Sequence, residues 1–460
     1  MSKLQPYAEP GSIHINDNTV DEAPSSGIRG KKNNRRFTVP PSSRPDRKIK
    51  LESGVHPIPR IIEEDEILLP YRNLSEFVDE ILQDSPDESF CFLNLGSIKD
   101  KVGILRDHFL PGNPHRAIAY AVKANPRRRI IKTLVDEGIN HFDCASLGEI
   151  QHVARISPEA KILYNQPVKS PGSIRRASEL GVNHFTAQTQ EEVKKIFSEA
   201  KGASRDRDIE IVARLQTHNE HAAINLSSKF GATAEQVVQM IQYIRDFLGE
   251  IPGISIHTGS QNSDVHIFTS AIHFMSDIAE QAGGVSIMNV GGGIPVNYFE
   301  HNKYEMSIYL DAITDAMNKE AARGLTTVKG RDPVFAIELG RAKVAEAVDL
   351  VIPVIAVEER ERPTIYFNDG VFTSFSDHHI HGWRYNFKGY RPGGKLSAKT
   401  KAYILHGRTC DSGDTLGEVH LPENIQEGDY IWVSNAGAYM DSQSTYFNGF
   451  GTPKYVIYNL

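Results

Sequence analysis

The sequence predicts an α/β protein in two parts: a (β/α)8 barrel followed by a mainly β domain. Three observations carry this reading. From about residue 90, short apolar runs alternate with longer segments of helical period, and eight of the runs read as strands. These runs are nearly continuous in Ile, Val, Ala and Phe, as strands buried on both faces require. After about residue 347 the helical period fades, and strand-like pieces follow one another between Gly, Pro and Asp turns. A doubly wound sheet gives the same alternation; the count of eight favours the barrel.

In chain order, residues 1–50 are rich in Ser, Pro, Asn and Gly, and from Arg29 to Lys50 they carry nine basic residues against one acid, Asp46. With no apolar face, they read as a disordered basic tail. Residues 51–97 form an N-terminal segment contributing to the β domain, with CFLNLG (91–96) entering the barrel from it. The barrel occupies 98–346. Its expected strands are IAYAVK (118–123), HFDCAS (141–146), KILYN (161–165), HFTAQ (184–188), EIVARL (210–215), ISIHTGS (254–260), SIMNVGG (286–292) and VFAIELG (334–340). Between them, stretches such as TAEQVVQMIQYIRDFLGE and SAIHFMSDIAEQAG repeat apolar residues three or four apart, the helical spacing. The β domain fills 347–460, with VIPVIAVE, PTIYFND, KAYILHG and YIWVSNA as strands.

Composition narrows the function classes. The 460 residues are 40% apolar and 24% charged, an ordinary soluble composition. No apolar run is long enough to span a bilayer, and no signal-peptide core is visible, so no membrane role is expected. A net charge of -7 gives no reason to expect nucleic acid as a partner. Cys91, Cys144 and Cys410 form no CxxC pair, so a reducing cytoplasm is the expected compartment. His378, His379 and His381 invite a metal reading, but in a strand only His379 and His381 share a face, and no metal site is expected.

The polar residues that break the apolar runs fall in one place. Lys123, Asp143, Arg214, His257, the Gly291-Gly292-Gly293 run and Glu338 lie at or near the C-terminal ends of expected barrel strands, where barrel enzymes assemble their sites. Lys123 sits in AIAYAVKANP, where desolvation is expected to lower its pKa and leave part of it a nucleophilic neutral amine. NVGGGIP permits close backbone approach and offers consecutive N–H donors, which suits a phosphate. An amine for an aldehyde, donors for a phosphate and a carboxylate for a pyridine nitrogen are the three needs of pyridoxal 5'-phosphate (PLP).

YAVKANP, FDCASLGEI, IHTGSQ, NVGGGIP, IELGRAKVAEA, NDGVFTSF, TCDSGDTL and GAYMDSQSTYFNGF occur in the order and approximate spacing of the eukaryotic-type ornithine decarboxylase family. The chain resembles that family from about residue 70 to its end. The resemblance implies a TIM-type barrel with a β domain, in the alanine racemase-like fold of PLP enzymes, and a homodimer with active sites at the subunit interface. By the same resemblance, Lys123 matches the lysine joined to the cofactor and His257 the imidazole stacked on its ring. Glu338 matches the acid on the pyridine nitrogen; racemases of the fold place an arginine there, so the acid argues for decarboxylation. Ser260, Gly291, Gly292, Gly293, Gly340, Arg341 and Tyr439 match the cofactor's phosphate region, and Asp143, Glu149 and Arg214 match residues that order the site.

Cys410 and Asp411 match a pair supplied by the other subunit, the thiol reprotonating the α-carbon and the carboxylate holding a distal amine. Phe447 matches a substrate-pocket residue. The resemblance therefore implies decarboxylation of a small-molecule substrate, a basic or diamino amino acid, to its amine, with ornithine or lysine favoured and polyamine synthesis as the family role.

The chain departs from the family at His381, which stands where the ornithine enzymes have a second acid for the distal amine. With Arg384 nearby, it leaves an acidic or acylated substrate end open. HTGSQ and CDSGD lean toward diaminopimelate decarboxylases, whereas FNGF (447–450) is ornithine-decarboxylase-like. The family also contains noncatalytic binding proteins that sequester a regulator; these commonly lose residues that Lys123, His257, Glu338, Cys410 and Asp411 retain here.

Overall fold

A computed structural model describes residues 66–110, 115–203, 208–217, 229–323 and 333–460, and the backbone of 222–224. The basic tail and the first part of the 51–97 segment lie outside the described residues.

Eight parallel strands close into a barrel: Arg116–Ala121, His141–Cys144, Lys161–Tyr164, His184–Ala187, Glu210–Arg214, Ile251–Ser255, Ile287–Asn289 and Val334–Leu339. The last strand pairs with the first, Glu338 opposite Ala119, which completes the ring. Strand alternation sorts the side chains. Ala117, Val212, Ile287 and Ala336 form a small cluster apart from the main core, while the alternate residues Ile118 and Tyr120 belong to the main core shared with the helices.

Helices begin where side chains satisfy free backbone donors. Ser146 accepts from Glu149 N at 3.2 Å ahead of Leu147–Ile156, and Thr233 and Gln236 form a reciprocal capping box ahead of Ala234–Asp246.

The second layer is a nine-stranded sheet running Glu66–Leu68, Lys454–Tyr458, Phe90–Asn94, Val348–Glu358, Thr364–Phe367, Thr400–His406 and Thr415–Pro422. Two further strands branch off: Tyr430–Val433 pairs with Val348–Glu358, and Phe387–Tyr390 pairs with Tyr430–Val433; the eleven residues of Val348–Glu358 pair first with Phe90–Asn94 and Tyr430–Val433 and then, from Val354 and across a bulge to Ala356, with Thr364–Phe367. CFLNLG splits: Phe90–Asn94 lies in this sheet, and Leu95–His108 is already helix, capped by the Asn94 side chain.

The first barrel strand ends at Ala121, and Lys123 lies in a 3-10 turn, Val122–Ala124. His257 lies past its strand, and Ser260–Asn262 is a separate short strand paired with Ala222–Ile224. The histidine cluster is on a helix, Ser376–His381, closed by Gly382 at φ +65°, so the strand-face argument does not apply. Strands Glu66–Leu68, Phe387–Tyr390, Thr415–Pro422 and Lys454–Tyr458 were not anticipated. Their apolar alternation is interrupted by Gly, Lys and Glu, tolerated because parts of these strands face solvent. Among the described residues, no helix is long and apolar enough to cross a membrane, and no group of three or more His, Cys, Asp or Glu residues is placed to hold a metal ion.

Candidate active site

A cavity at the C-terminal mouth of the barrel is lined by Lys123, His257, Ser260, Gly292, Gly293, Glu338, Gly340, Arg341 and Tyr439, among others. Gly291 precedes this group in the same loop; at φ +70° a Cβ there would lie 2.4 Å from the Ile256 carbonyl oxygen. Gly293, at φ +121°, has the Gly259 carbonyl equally close, at 2.3 Å. Only glycine fits this turn against the neighbouring strand end.

Lys123 donates from Nζ to Asp143 Oδ2 at 3.0 Å. Its side chain is 43% exposed, on the cavity it lines, whereas Asp143 is buried at 1%. The expected lowering of the lysine pKa is overturned. The Asp143 charge holds the ammonium well above the ordinary lysine range, outweighing desolvation. Asp143 Oδ1 is buried with no hydrogen-bond partner among the described residues. Glu149 accepts from Ala145 N at 2.6 Å, and burial raises its carboxyl to about 7.

Glu338, 4% exposed, receives two amide donors on Oε1, from Asn165 and Asn289, each at 2.6 Å. Burial and the nearby Asp143 charge raise it to about 7, against the pull of Lys123 and Arg214. Arg214 is itself lowered by burial, with Glu338 and Asp143 opposing. His257 accepts the Gly259 N–H on Nδ1 at 3.0 Å, which leaves the ring proton to Nε2. Burial, then Arg214 and Lys123, hold the imidazole well below its ordinary range, so it is neutral and presents a flat face.

Arg341 begins the short helix Arg341–Val344. It donates to Ser260 Oγ at 3.3 Å and Tyr298 OH at 3.0 Å, pairs with Asp377 at 3.6 Å, and lies 4.6 Å from the Tyr439 ring centroid and 4.8 Å from that of Trp383. Tyr439 is held at φ +69° while its N–H bonds to Ala124.

The remaining expected residues lie elsewhere in the chain. Cys410 and Asp411 are exposed and do not line the cavity; Cys410 Sγ is 3.4 Å from Asn448 Oδ1, and Asp411 accepts the Gly413 N–H at 2.7 Å. Phe447, 39% exposed, packs on Phe372 with ring centroids 4.6 Å apart. His381 is exposed at the end of its helix, and Asp377 of the same helix reaches Arg341.

Sequence reasoning missed Asn165, Asn289, Asp377 and Trp383. The only local signal was an asparagine two residues before the glycine run and another at the end of KILYN.

Residues 95–345 match the family described as pyridoxal-dependent decarboxylase, pyridoxal binding domain. The chain belongs to the pyridoxal-dependent decarboxylases. A lysine/ornithine decarboxylase of Selenomonas ruminantium is 27% identical over 375 residues, covering 80% of this chain and 89% of its own. Antizyme inhibitor 2 of Xenopus laevis is 29% identical over 402 residues, 82% of each chain. The solved lysine/ornithine decarboxylase of Vibrio vulnificus complexed with putrescine superposes with a TM-score of 0.69 at 26% identity, over 85% of this chain and 99% of that one.

The cofactor of this decarboxylase family is pyridoxal phosphate, and the donor set here fits it. An amine, a carboxylate pinned through one oxygen, and an arginine beside a serine and a glycine loop surround one cavity.

Proposed function

We propose that this decarboxylase converts a basic amino acid, ornithine or lysine, to its diamine, as a cytoplasmic homodimer serving polyamine synthesis. The observation that carries the reading is the shared cavity of Lys123 and Glu338, whose carboxylate keeps its Oε1 on two amides. Relatives and neighbours named for lysine, ornithine and putrescine support the substrate class.

When bound, pyridoxal phosphate would supply an aldehyde for the substrate's amine and an electron-withdrawing ring for the charge left at the α-carbon. Lys123 would hold the cofactor between turnovers, with its Nζ placed by the hydrogen bond to Asp143. Glu338 would keep a proton on the ring nitrogen through a charged hydrogen bond, so that the ring could accept the electrons left at the α-carbon. The neutral His257 face would pack on the ring. Ser260, the glycine loop, Arg341 and Tyr439 hold the phosphate. Cys410 and Asp411, exposed and away from their own subunit's cavity, act in the partner's site: the thiol returns a proton to the α-carbon and the carboxylate receives the distal ammonium.

The test is product formation with added pyridoxal phosphate from L- and D-ornithine, L-lysine, L-arginine, meso-diaminopimelate and 2,4-diaminobutyrate. Putrescine or cadaverine is expected; binding of cofactor with no product from the basic substrates refutes the substrate class. Two observations favour other readings. The exposed His381 beside Arg384 suits a carboxylated or acylated substrate end, which the diaminopimelate arm reads. The likeness to an antizyme inhibitor favours a binding role, which requires a sample that takes up no cofactor.

A further inference from the structure

We propose that Asn165 and Asn289 are positioning residues that fix the Glu338 carboxylate by one oxygen and reserve the other for the cofactor's ring nitrogen. The inference rests on the reading of Glu338 as the partner of that nitrogen.

Both side-chain amides reach the same atom, Glu338 Oε1, at 2.6 Å. Their orientation is dictated from the far side. Gly291 N–H donates to Asn289 Oδ1 at 2.9 Å, and the Thr186 hydroxyl donates to Asn165 Oδ1 at 3.0 Å. A backbone N–H is only a donor, so the Asn289 oxygen must face it and the amide nitrogen must face Glu338. All four partners are enclosed by the barrel: Asn289 and Thr186 are buried at 0% and 1%, Glu338 at 4%, and Asn165 is partly buried.

The choice of amides has a chemical consequence. Lys123 and Arg214 both lie close enough to act on Glu338, and a carboxylate free to rotate would turn toward either cation. Two neutral donors on one oxygen hold it without forming a competing ion pair. Oε2 takes no hydrogen bond among the described residues, and Glu338 lines the cavity. Aspartate at position 289 could neither donate to Glu338 nor accept it as a neighbour, because it adds a like charge beside a carboxyl already facing Asp143. Asn289 also ties the two ends of the site together, since its other bond holds the start of the glycine loop.

The test uses holoenzyme of Asn289→Asp and Asn165→Ala, with Glu338→Gln alongside. The readouts are the pH titration of the bound cofactor's absorbance, cofactor affinity across neutral pH, and kcat separately from KM. In Asn289→Asp the acid limb of cofactor binding and of kcat is expected to move up by about one pH unit, a tenfold loss at fixed pH on that limb. Asn165→Ala is expected to move the same limb less, and KM to change less than kcat in both. Unshifted limbs in a folded Asn289→Asp and Asn165→Ala overturn the proposal; if Asn289→Asp does not fold, Asn165→Ala decides alone. Glu338→Gln separates the two levels. An acid limb that survives in Glu338→Gln refutes the reading of Glu338 itself, whereas a limb lost there but unmoved in the asparagine variants refutes only the positioning role.

Discussion

The backbone N–H of Tyr439 donates to the Ala124 carbonyl at 2.7 Å, so the residue following Lys123 is tied to a loop of the β domain. Two further contacts run beside it: Asn125 Nδ2 to the Gly437 carbonyl at 3.0 Å and Arg127 Nε to Asp441 Oδ2 at 2.5 Å. The Arg127 guanidinium also lies 3.3 Å from the Tyr455 ring centroid. The two layers meet at the segment that carries Lys123.

Asp441→Asn is therefore expected to destabilise the protein by roughly 3 kcal/mol, because it leaves a buried guanidinium short of its counter-charge. Urea unfolding measures this, and a loss within error of zero would show that the Glu66 carboxylate, 3.9 Å from Arg127, suffices.

Lys123→Ala is expected to abolish the visible band of lysine-joined cofactor, and an unchanged spectrum would remove Lys123 from the assignment. Asp143→Asn should lower the lysine pKa, since the Asp143 charge is the largest cause of its elevation. The spectral transition of the holoenzyme with pH should then move toward acid.

Glu338, raised to about 7, gains its charge only as pH rises through neutrality. Cofactor affinity should fall as pH is lowered through about 7, because the protonated acid no longer attracts a protonated ring nitrogen. Glu338→Gln should flatten that dependence and reduce kcat by about a hundredfold with a smaller change in KM. Equal losses confined to binding would contradict the role.

Lys343 is buried at 1%, its Nζ has no hydrogen-bond partner among the described residues, and burial lowers it from 10.5 to about 7. The unfolded chain binds the extra proton between these values, so stability should rise with pH across that window; below about 7 both states are charged and the penalty is complete. Lys343→Met should stabilise the protein at neutral pH by roughly 2 kcal/mol and remove this part of the pH dependence. A destabilised variant would show that the ammonium finds water or another partner.

Cys410 is exposed and does not line the cavity that holds Lys123 and Glu338. Cys410→Ala should release carbon dioxide yet return misprotonated products, and mixing it with Lys123→Ala should restore normal product through mixed dimers. Failure to complement would mean that the thiol does not act across an interface. His381→Asp should improve use of ornithine or lysine if the histidine is what relaxes recognition of the distal amine; no gain would remove it from specificity.

The periodicity of the chain was enough to mark all eight barrel strands, because a strand buried on both faces leaves a contiguous apolar run whatever its partners are, although the sixth lies at Ile251–Ser255 and not over 254–260. The polar residues that interrupt the runs at their C-terminal ends located Lys123, Asp143, Arg214, His257 and Glu338, and the glycine triplet stood out because its backbone admits no other residue. What the tertiary structure decided were properties set by distant groups. Lys123 appears desolvated in its local sequence, yet Asp143, twenty positions away, keeps it charged. Glu338 is pinned by Asn289 and Asn165, 49 and 173 positions away, and Arg127 meets Asp441 across 314. Such contacts follow from barrel closure and from docking of the sheet, which leave no period in the sequence. The histidine cluster shows the same limit on a smaller scale, since only the fold decided that its residues share a helix.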